Sequence, residues 1–224
     1  MKENVLGSLR LFLALTVLLG LGYPALVWTI GQVAFQDAAN GSFLRRKGAD
    51  GPGVLLGSSL IGQSFVMPGH FHGRPSAAGD AGYDATATGG TNLGPTSKKL
   101  ADAIRDKVGA VRGENPETGA TGPLPADAVT SSASGLDPHI SLEYARLQIP
   151  RVAKETGLPV TDLEALVARN AEGRFLGLYG ESRANVLALN LEIDTRLDHP
   201  QIAPTPAPTP APAAGASGAP PSAP

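Results

Sequence analysis

The run LFLALTVLLGLGYPALVWTIGQVAFQ, residues 11–36, holds no charged side chain and is bordered by Arg10 and Asp37. At about 1.5 Å per residue, roughly 20 helical residues cross a hydrocarbon core about 30 Å thick, so residues 11–30 alone are long enough. A cleaved signal peptide is the competing reading, but its apolar core is only about 7–15 residues long. The following Phe35-Gln36-Asp37-Ala38 also lacks a small-x-small cleavage site. The run therefore reads as an uncleaved anchor. Tyr23 and Trp28 suit the aromatic belt of a membrane interface. Pro24 has no N–H for the carbonyl of Gly20, so a mild kink is expected there. Thr16 and Gly20 form a small-xxx-small pair that lets a second helix approach closely. Lys2 and Arg10 precede the run while Arg45, Arg46 and Lys47 follow it, so charge alone leaves the orientation open.

The expected layout is a short N-terminus (1–10), a transmembrane helix (11–33), a connector (34–52), one domain (53–198) and a tail (199–224). The chain has 224 residues, a formal net charge of −2, 28 glycines, 20 prolines and no cysteine. Disulfides and Cys-based zinc sites are therefore excluded. With no basic stripe carrying interleaved aromatics, nucleic-acid binding has no support. So many glycines and prolines imply a loop-rich domain rather than a helical bundle. From Ala203 onward the chain contains only Ala, Pro, Thr, Ser and Gly. Such a segment has nothing to bury and is expected to be disordered, with polyproline II character.

Within the domain, Val54-Leu55-Leu56 before Gly57, and then residues 60–65, read as short strands with glycine turns. Residues 68–94 show neither helical nor strand periodicity, and so long an irregular stretch is usually functional or tied down by partners. Residues 95–108 read as a helix with Leu100, Ile104 and Val108 on one face and a Lys98–Asp102 pair on the other. Residues 109–125 read as a loop. Asp137 is expected to cap a helix that has Pro138 in its first turn. That helix carries Ile140, Tyr144, Leu147 and Arg151, is kinked or divided at Pro150, and ends at Gly157. Thr161-Asp162-Leu163-Glu164 reads as a capping box for a second helix. Residues 185–191 read as a buried strand. The fold class is α+β: one membrane helix, then a small loop-rich mixed domain.

The chemistry-bearing motifs are sparse. Gly89 through Thr96 nearly matches a phosphate-binding loop, but Pro95 replaces the essential lysine and removes an N–H, so a glycine-shaped helix entry is the better reading. His70 and His72 would share one strand face as metal ligands do, yet no third ligand with helpful spacing follows, and Asp80 and Asp84 are weak candidates. There is no G-x-S-x-G elbow. His139, beside the expected helix N-terminus, suits a structural hydrogen bond. No catalytic, cofactor-binding or metal-binding residue is assigned.

Several stretches taken together carry a resemblance. They are residues 60–65 (LIGQSF), 71–77 (FHGRPSA), Tyr83-Asp84, 89–96 (GGTNLGPT), 134–141 (SGLDPHIS) and 185–190 (NVLALN), in this order. The series resembles the KdpC family, the C subunit of the Kdp potassium-importing ATPase, from the anchor to about Leu197. The departures are small: Thr91 stands where the subfamily commonly has Ser, and Ser97 where it has Asn. The tail has no counterpart.

The resemblance implies an accessory subunit without its own active site, in complex with a channel-like potassium-binding subunit and a P-type ATPase subunit. A small single-helix subunit is a further implied partner, beside membrane lipid. It also implies an inner-membrane, single-pass location with the N-terminus cytoplasmic and the domain outside. ATP and potassium would act at the level of the complex. The family is described as a catalytic chaperone that raises the pump subunit's ATP affinity. A domain outside the membrane cannot touch cytosolic ATP, so such coupling would have to pass through the anchor helix. Gln63, Arg74, Tyr83, Asp84 and Asn92, polar groups of the irregular region, are the candidate partner contacts. The alternative for Arg74 and Asp84 is an internal pair that holds the long loop. Thr16, Gly20 and Pro24 are the candidate helix-packing positions in the membrane. Two other classes stay open, a membrane-anchored extracytoplasmic hydrolase and a generic anchored binding module.

Overall fold

The apolar run is helical as far as Ala34. In the computed structural model, which describes residues 2–46 and 54–197, α1 (Lys2–Val17) leads into a π turn (Leu18–Gly22) and then α2 (Tyr23–Ala34). The stretch Glu3–Ala34 is long and apolar enough to cross a membrane, and none of its central side chains is buried by the rest of the chain. Directly before Pro24, where a mild kink is expected, the helix carries a widened turn. The Tyr23 N–H reaches back to the Leu18 carbonyl, one residue beyond the α-helical partner, directly before the proline that has no N–H to give.

At Phe35 the backbone leaves the helix and forms an elbow. A single turn, α3 (Gln36–Ala39), is followed by β1 (Phe43–Arg46), which pairs antiparallel with β2 (Val54–Ser58). The elbow is stitched to both neighbours. Asn40 Nδ2 donates to Gln32 Oε1 (3.0 Å) on α2 and to the Gln36 carbonyl (2.7 Å). Ser58 Oγ donates to the Gly41 carbonyl (2.7 Å), and the Ser59 N–H to that of Ser42 (3.1 Å).

The strand expected at 54–57 is β2. No strand forms at 60–65, and the chain between Ser58 and Lys98 contains neither helix nor strand. The next helix, α4 (Lys98–Glu114), starts later and ends later than expected. The predicted loop from 109 is helical as far as Glu114, because Val111 is buried and continues the stripe of Leu100, Ile104 and Val108. Asn115 then stops the helix, its Nδ2 donating to the Val111 carbonyl (3.0 Å). The expected Lys98–Asp102 pair is present at 2.6 Å.

After the short α5 (Ala126–Val129) come β3 (His139–Ser141), α6 (Leu142–Thr156), α7 (Val160–Arg169), β4 (Ala171–Glu172), β5 (Arg183–Asn185) and α8 (Val186–Arg196). The three short strands form an antiparallel sheet in the order β3-β5-β4. The core lies between this sheet and α6, α7 and α8, around Phe71, Ile140, Tyr144, Val152, Leu163 and Leu189. The mixed helix-and-sheet class agrees with the expectation.

Four local expectations are corrected. Asp137 caps no helix: residues 139–141 pair with β5, which delays the helix until Ser141, whose Oγ accepts from the Tyr144 N–H (3.0 Å). Pro150 does not divide α6, which runs unbroken through it and ends at Gly157 with φ 73 as expected. The capping box at Thr161 does not form, since α7 begins at Val160 and the Pro159 carbonyl receives the N–H groups of Asp162 and Leu163. Residues 186–191 are helical rather than a strand. Asn185 Oδ1 accepts from the Ala188 N–H (3.1 Å), and the buried positions Val186, Leu187, Leu189, Asn190 and Ile193 follow a helical face. The tail expected to be disordered lies outside the described residues, as does Lys47.

Candidate partner surface

The irregular segment after β2 is fixed by side chains from the helices below it. Asn190 of α8 is fully buried; its Oδ1 accepts from the Phe71 N–H (2.7 Å) and its Nδ2 donates to the Phe71 carbonyl (2.9 Å). One residue on, Gln148 of α6 repeats the arrangement with His72 (2.7 and 3.0 Å). Two amide side chains thus give this segment the paired donor and acceptor that a neighbouring strand would supply, which satisfies a buried backbone without a sheet. Arg151 adds bonds to the carbonyls of Pro68 and His70 and to Gln148.

The two histidines weighed as metal ligands do not share a strand face. His70 Nε2 lies 3.0 Å from Asp194 Oδ1 in the interior, and His72 Nδ1 lies 3.2 Å from Glu114 Oε2. The hydrogen bond from His72 holds the Glu114 carboxyl below its usual range. Among the described residues no group of three or more His, Asp or Glu is placed to hold a metal ion.

Two residues beyond His72 stands Arg74, whose Nη1 donates to Asp137 Oδ2 (2.9 Å). Asp137 also accepts from the His139 N–H (3.0 Å), so it organises the turn before β3 rather than a helix end. Partial burial works to raise the Asp137 carboxyl, but hydrogen bonds from His139 and Arg74, with the Arg74 charge, outweigh it and hold it at about 2. Tyr83 closes the loop: its hydroxyl donates to the Arg74 carbonyl (2.7 Å), and its N–H to Ser76 Oγ (2.7 Å). Burial, then the nearby Asp137 charge, pushes its phenol up to about 12. Space around Tyr83 exists only because two neighbours are glycines. A Cβ on Gly73 would lie 2.4 Å from the Tyr83 hydroxyl, and one on Gly62 would lie 2.7 Å from the Asp137 carbonyl. Beside this pair opens a groove of about 780 Å³ lined by Arg74, Asp127, Asp137, His139, Glu181 and Arg183.

Of the sequence-derived contact candidates, the structure brings Arg74 and Tyr83 together. The other three are not bonded to that pair, although Gln63 lines a small cavity with Tyr83 and Asp137. Gln63 donates to the Leu56 carbonyl (3.1 Å). Asp84 is exposed and accepts from the Thr86 N–H and hydroxyl (2.8 and 2.7 Å), and those bonds lower its pKa. Asn92 is exposed with φ 51. Arg74 pairs with Asp137, not with Asp84 as the internal alternative had it. In the N-terminal apolar helix, Gly20 has no other side chain against it.

The sequence reading missed Asn190, Gln148 and Arg151. Their signal was a polar side chain repeated on an otherwise apolar helical stripe, Tyr144-Gln148-Val152 on α6 and Val186-Asn190-Ile193 on α8. It also missed the hairpin between β4 and β5. There Phe175 and Tyr179 exchange backbone bonds (2.8 and 3.0 Å), and Phe175, Leu176, Leu178 and Tyr179 are each about 70% exposed. A Cβ added at Gly173, Gly177 or Gly180 would meet only open space, so the tip projects from the domain.

Residues 5–195 match the family described as KdpC: K+-transporting ATPase, c chain. A protein of Koribacter versatilis named potassium-transporting ATPase KdpC subunit is 48% identical over 194 residues, covering 87% of this chain and 95% of that protein. Proteins of the same name from Nitratidesulfovibrio vulgaris (50% over 187 residues; 84% and 91% covered) and Myxococcus xanthus (47% over 205 residues; 91% and 94% covered) are also similar. With nearly its whole described length matched, and a helix long and apolar enough to span a membrane ahead of a domain whose polar side chains hold an irregular loop, the chain belongs to the KdpC family, the c chain of K+-transporting ATPase.

Proposed function

We propose that the chain is a non-catalytic accessory subunit of an ATP-driven potassium importer, single-pass in the cell membrane, with its N-terminus cytoplasmic and its domain outside. Its work is assembly: the domain docks on the channel-like and P-type ATPase subunits while the helix packs among theirs. The observation that carries this reading beyond family membership is the projecting hairpin. Phe175, Leu176, Leu178 and Tyr179 present large apolar side chains that contribute nothing to the core, and aromatic anchors of this kind dominate protein interfaces. The polar residues that could suggest chemistry are engaged elsewhere: Arg74 with Asp137, His70 with Asp194, and Asp127 with the Ser141 N–H and hydroxyl. Any effect on the pump's ATP affinity passes through the anchor helix, since a domain on the far side of the bilayer has no access to the nucleotide.

The test is co-purification from mildly solubilised membranes. The unaltered chain is expected to bring down both larger subunits. A variant with Phe175, Leu176, Leu178 and Tyr179 changed to Ser is expected to fold as before but to lose most of that capture. Full capture by the folded variant would remove the hairpin from the interface.

A further inference from the structure

We propose that the elbow between α2 and β2 is a lipid-contacting foot, a collar of apolar side chains lying in the headgroup region of the bilayer. Four side chains compose it. Phe35 (65% exposed) and Phe43 (55%) flank the elbow, and Leu60 (59%) and Ile61 (43%) follow directly on the residues stitched to it. Their placement rests on the backbone: Phe43 stands opposite Ser58 in the β1–β2 register, and Ser59 bonds to Ser42. Leu60 and Ile61 are therefore beside the point where the chain leaves the spanning helix, although they are far from that helix in sequence.

The occupant follows from continuity. The elbow is bonded to the last turns of the helix through Gln32 and Asn40, and a Cβ on Gly31 would lie only 3.5 Å from the Ala39 methyl, so the elbow lies close against the helix. A helix end held in a bilayer therefore carries the collar to the bilayer surface. Charge fits the same surface. Arg45 is exposed on β1, with Arg46 and Lys47 next in sequence, against Asp37 on the helix side. Exposed apolar groups with adjacent cations are the composition that binds anionic interfaces. In the orientation proposed above, these cations lie on the side where the positive-inside rule disfavours them, and headgroup phosphates give them a partner there. The collar rests on the spanning reading of the helix but not on any partner subunit.

The natural absence of cysteine permits a direct test with the full-length chain in vesicles of phosphatidylcholine and phosphatidylglycerol, 3:1. Single cysteines at Phe43, Leu60, Leu19 and Val66 are spin-labelled, and collisions with oxygen and with a water-soluble nickel chelate are compared. Val66 is 77% exposed and lines a groove with Lys107 and Glu114 of α4, and Leu19 is inside the apolar run. The labels at Phe43 and Leu60 are expected to show an oxygen-to-nickel ratio several-fold above that at Val66 and below that at Leu19. Ratios at both collar positions equal to that at Val66, with Leu19 lipid-like, would overturn the foot while leaving the span intact. Labels shielded from both reagents would overturn it in favour of protein contact. Aqueous ratios at all positions would overturn the foot and the span together.

Discussion

Replacing Asn190 with Ala tests how the domain holds its irregular segment. The substitution deletes the side-chain groups that pair with the N–H and carbonyl of Phe71, a residue with no exposed surface. Each buried backbone group left without a partner costs about 1–3 kcal/mol. Two such groups, with slight relief if water enters, give a loss of about 3–5 kcal/mol. For a domain of this size that corresponds to a fall in melting temperature on the order of 10 °C. Gln148→Ala orphans His72 in the same way and should cost a similar amount. The double variant should cost less than the sum, because a segment released from one helix has already weakened its hold on the other. The assay is thermal unfolding of the full-length chain in micelles by far-UV circular dichroism, with hydrogen exchange of the segment around Phe71. A loss under about 1 kcal/mol with unchanged protection there would refute the idea that two helix amides substitute for a strand.

Three further outcomes are expected. The Asp137 carboxyl is held at about 2, below its unfolded value, so its stabilising contribution is complete above about pH 4 and is lost as pH falls towards 2. For a partly exposed group this amounts to about 1–2 kcal/mol, and in acid titrations Arg74→Gln should shrink that step; an unchanged step would separate Arg74 from it. Gly62→Ala forces a Cβ to 2.7 Å from the Asp137 carbonyl and 2.8 Å from the Tyr83 ring, and should destabilise the domain by about 1–3 kcal/mol. Gly89→Ala, with open space around it, should cost under about 0.5 kcal/mol, and equal effects would discount the crowding argument. Exchanging the anchor for a foreign spanning helix while keeping the domain should abolish any effect of the chain on the pump's ATP affinity, measured in the purified complex; a retained effect would exclude transmission through the helix.

The parts of the fold set by composition or by local chemistry were readable from the residues. The long N-terminal helix needs only an unbroken apolar run, β2 its Val-Leu-Leu, and the end of α6 a glycine able to take positive φ. Features decided by distant residues were not readable. Asp137-Pro138 has the chemistry of a helix start, but β5 recruits the next three residues into a sheet and shifts the cap to Ser141. Residues 186–191 alternate as a strand would, yet Asn185 caps a helix there, and Asn190 becomes legible only once Phe71 is known to lie against it. Arg74 could be recognised as a residue able to bridge acceptors, but not its partner, which lies across the loop at Asp137. The hairpin tip escaped notice because single exposed apolar residues carry no meaning in a sequence; four of them acquire one when a turn brings them together.

The most direct measurement is ATP-driven potassium uptake in potassium-starved cells that lack every other high-affinity uptake system, with and without this chain. Deletion is expected to abolish uptake and growth, the intact chain to restore both, and the hairpin variant to restore little although it reaches the membrane. Normal uptake in the deletion strain would contradict the proposed role.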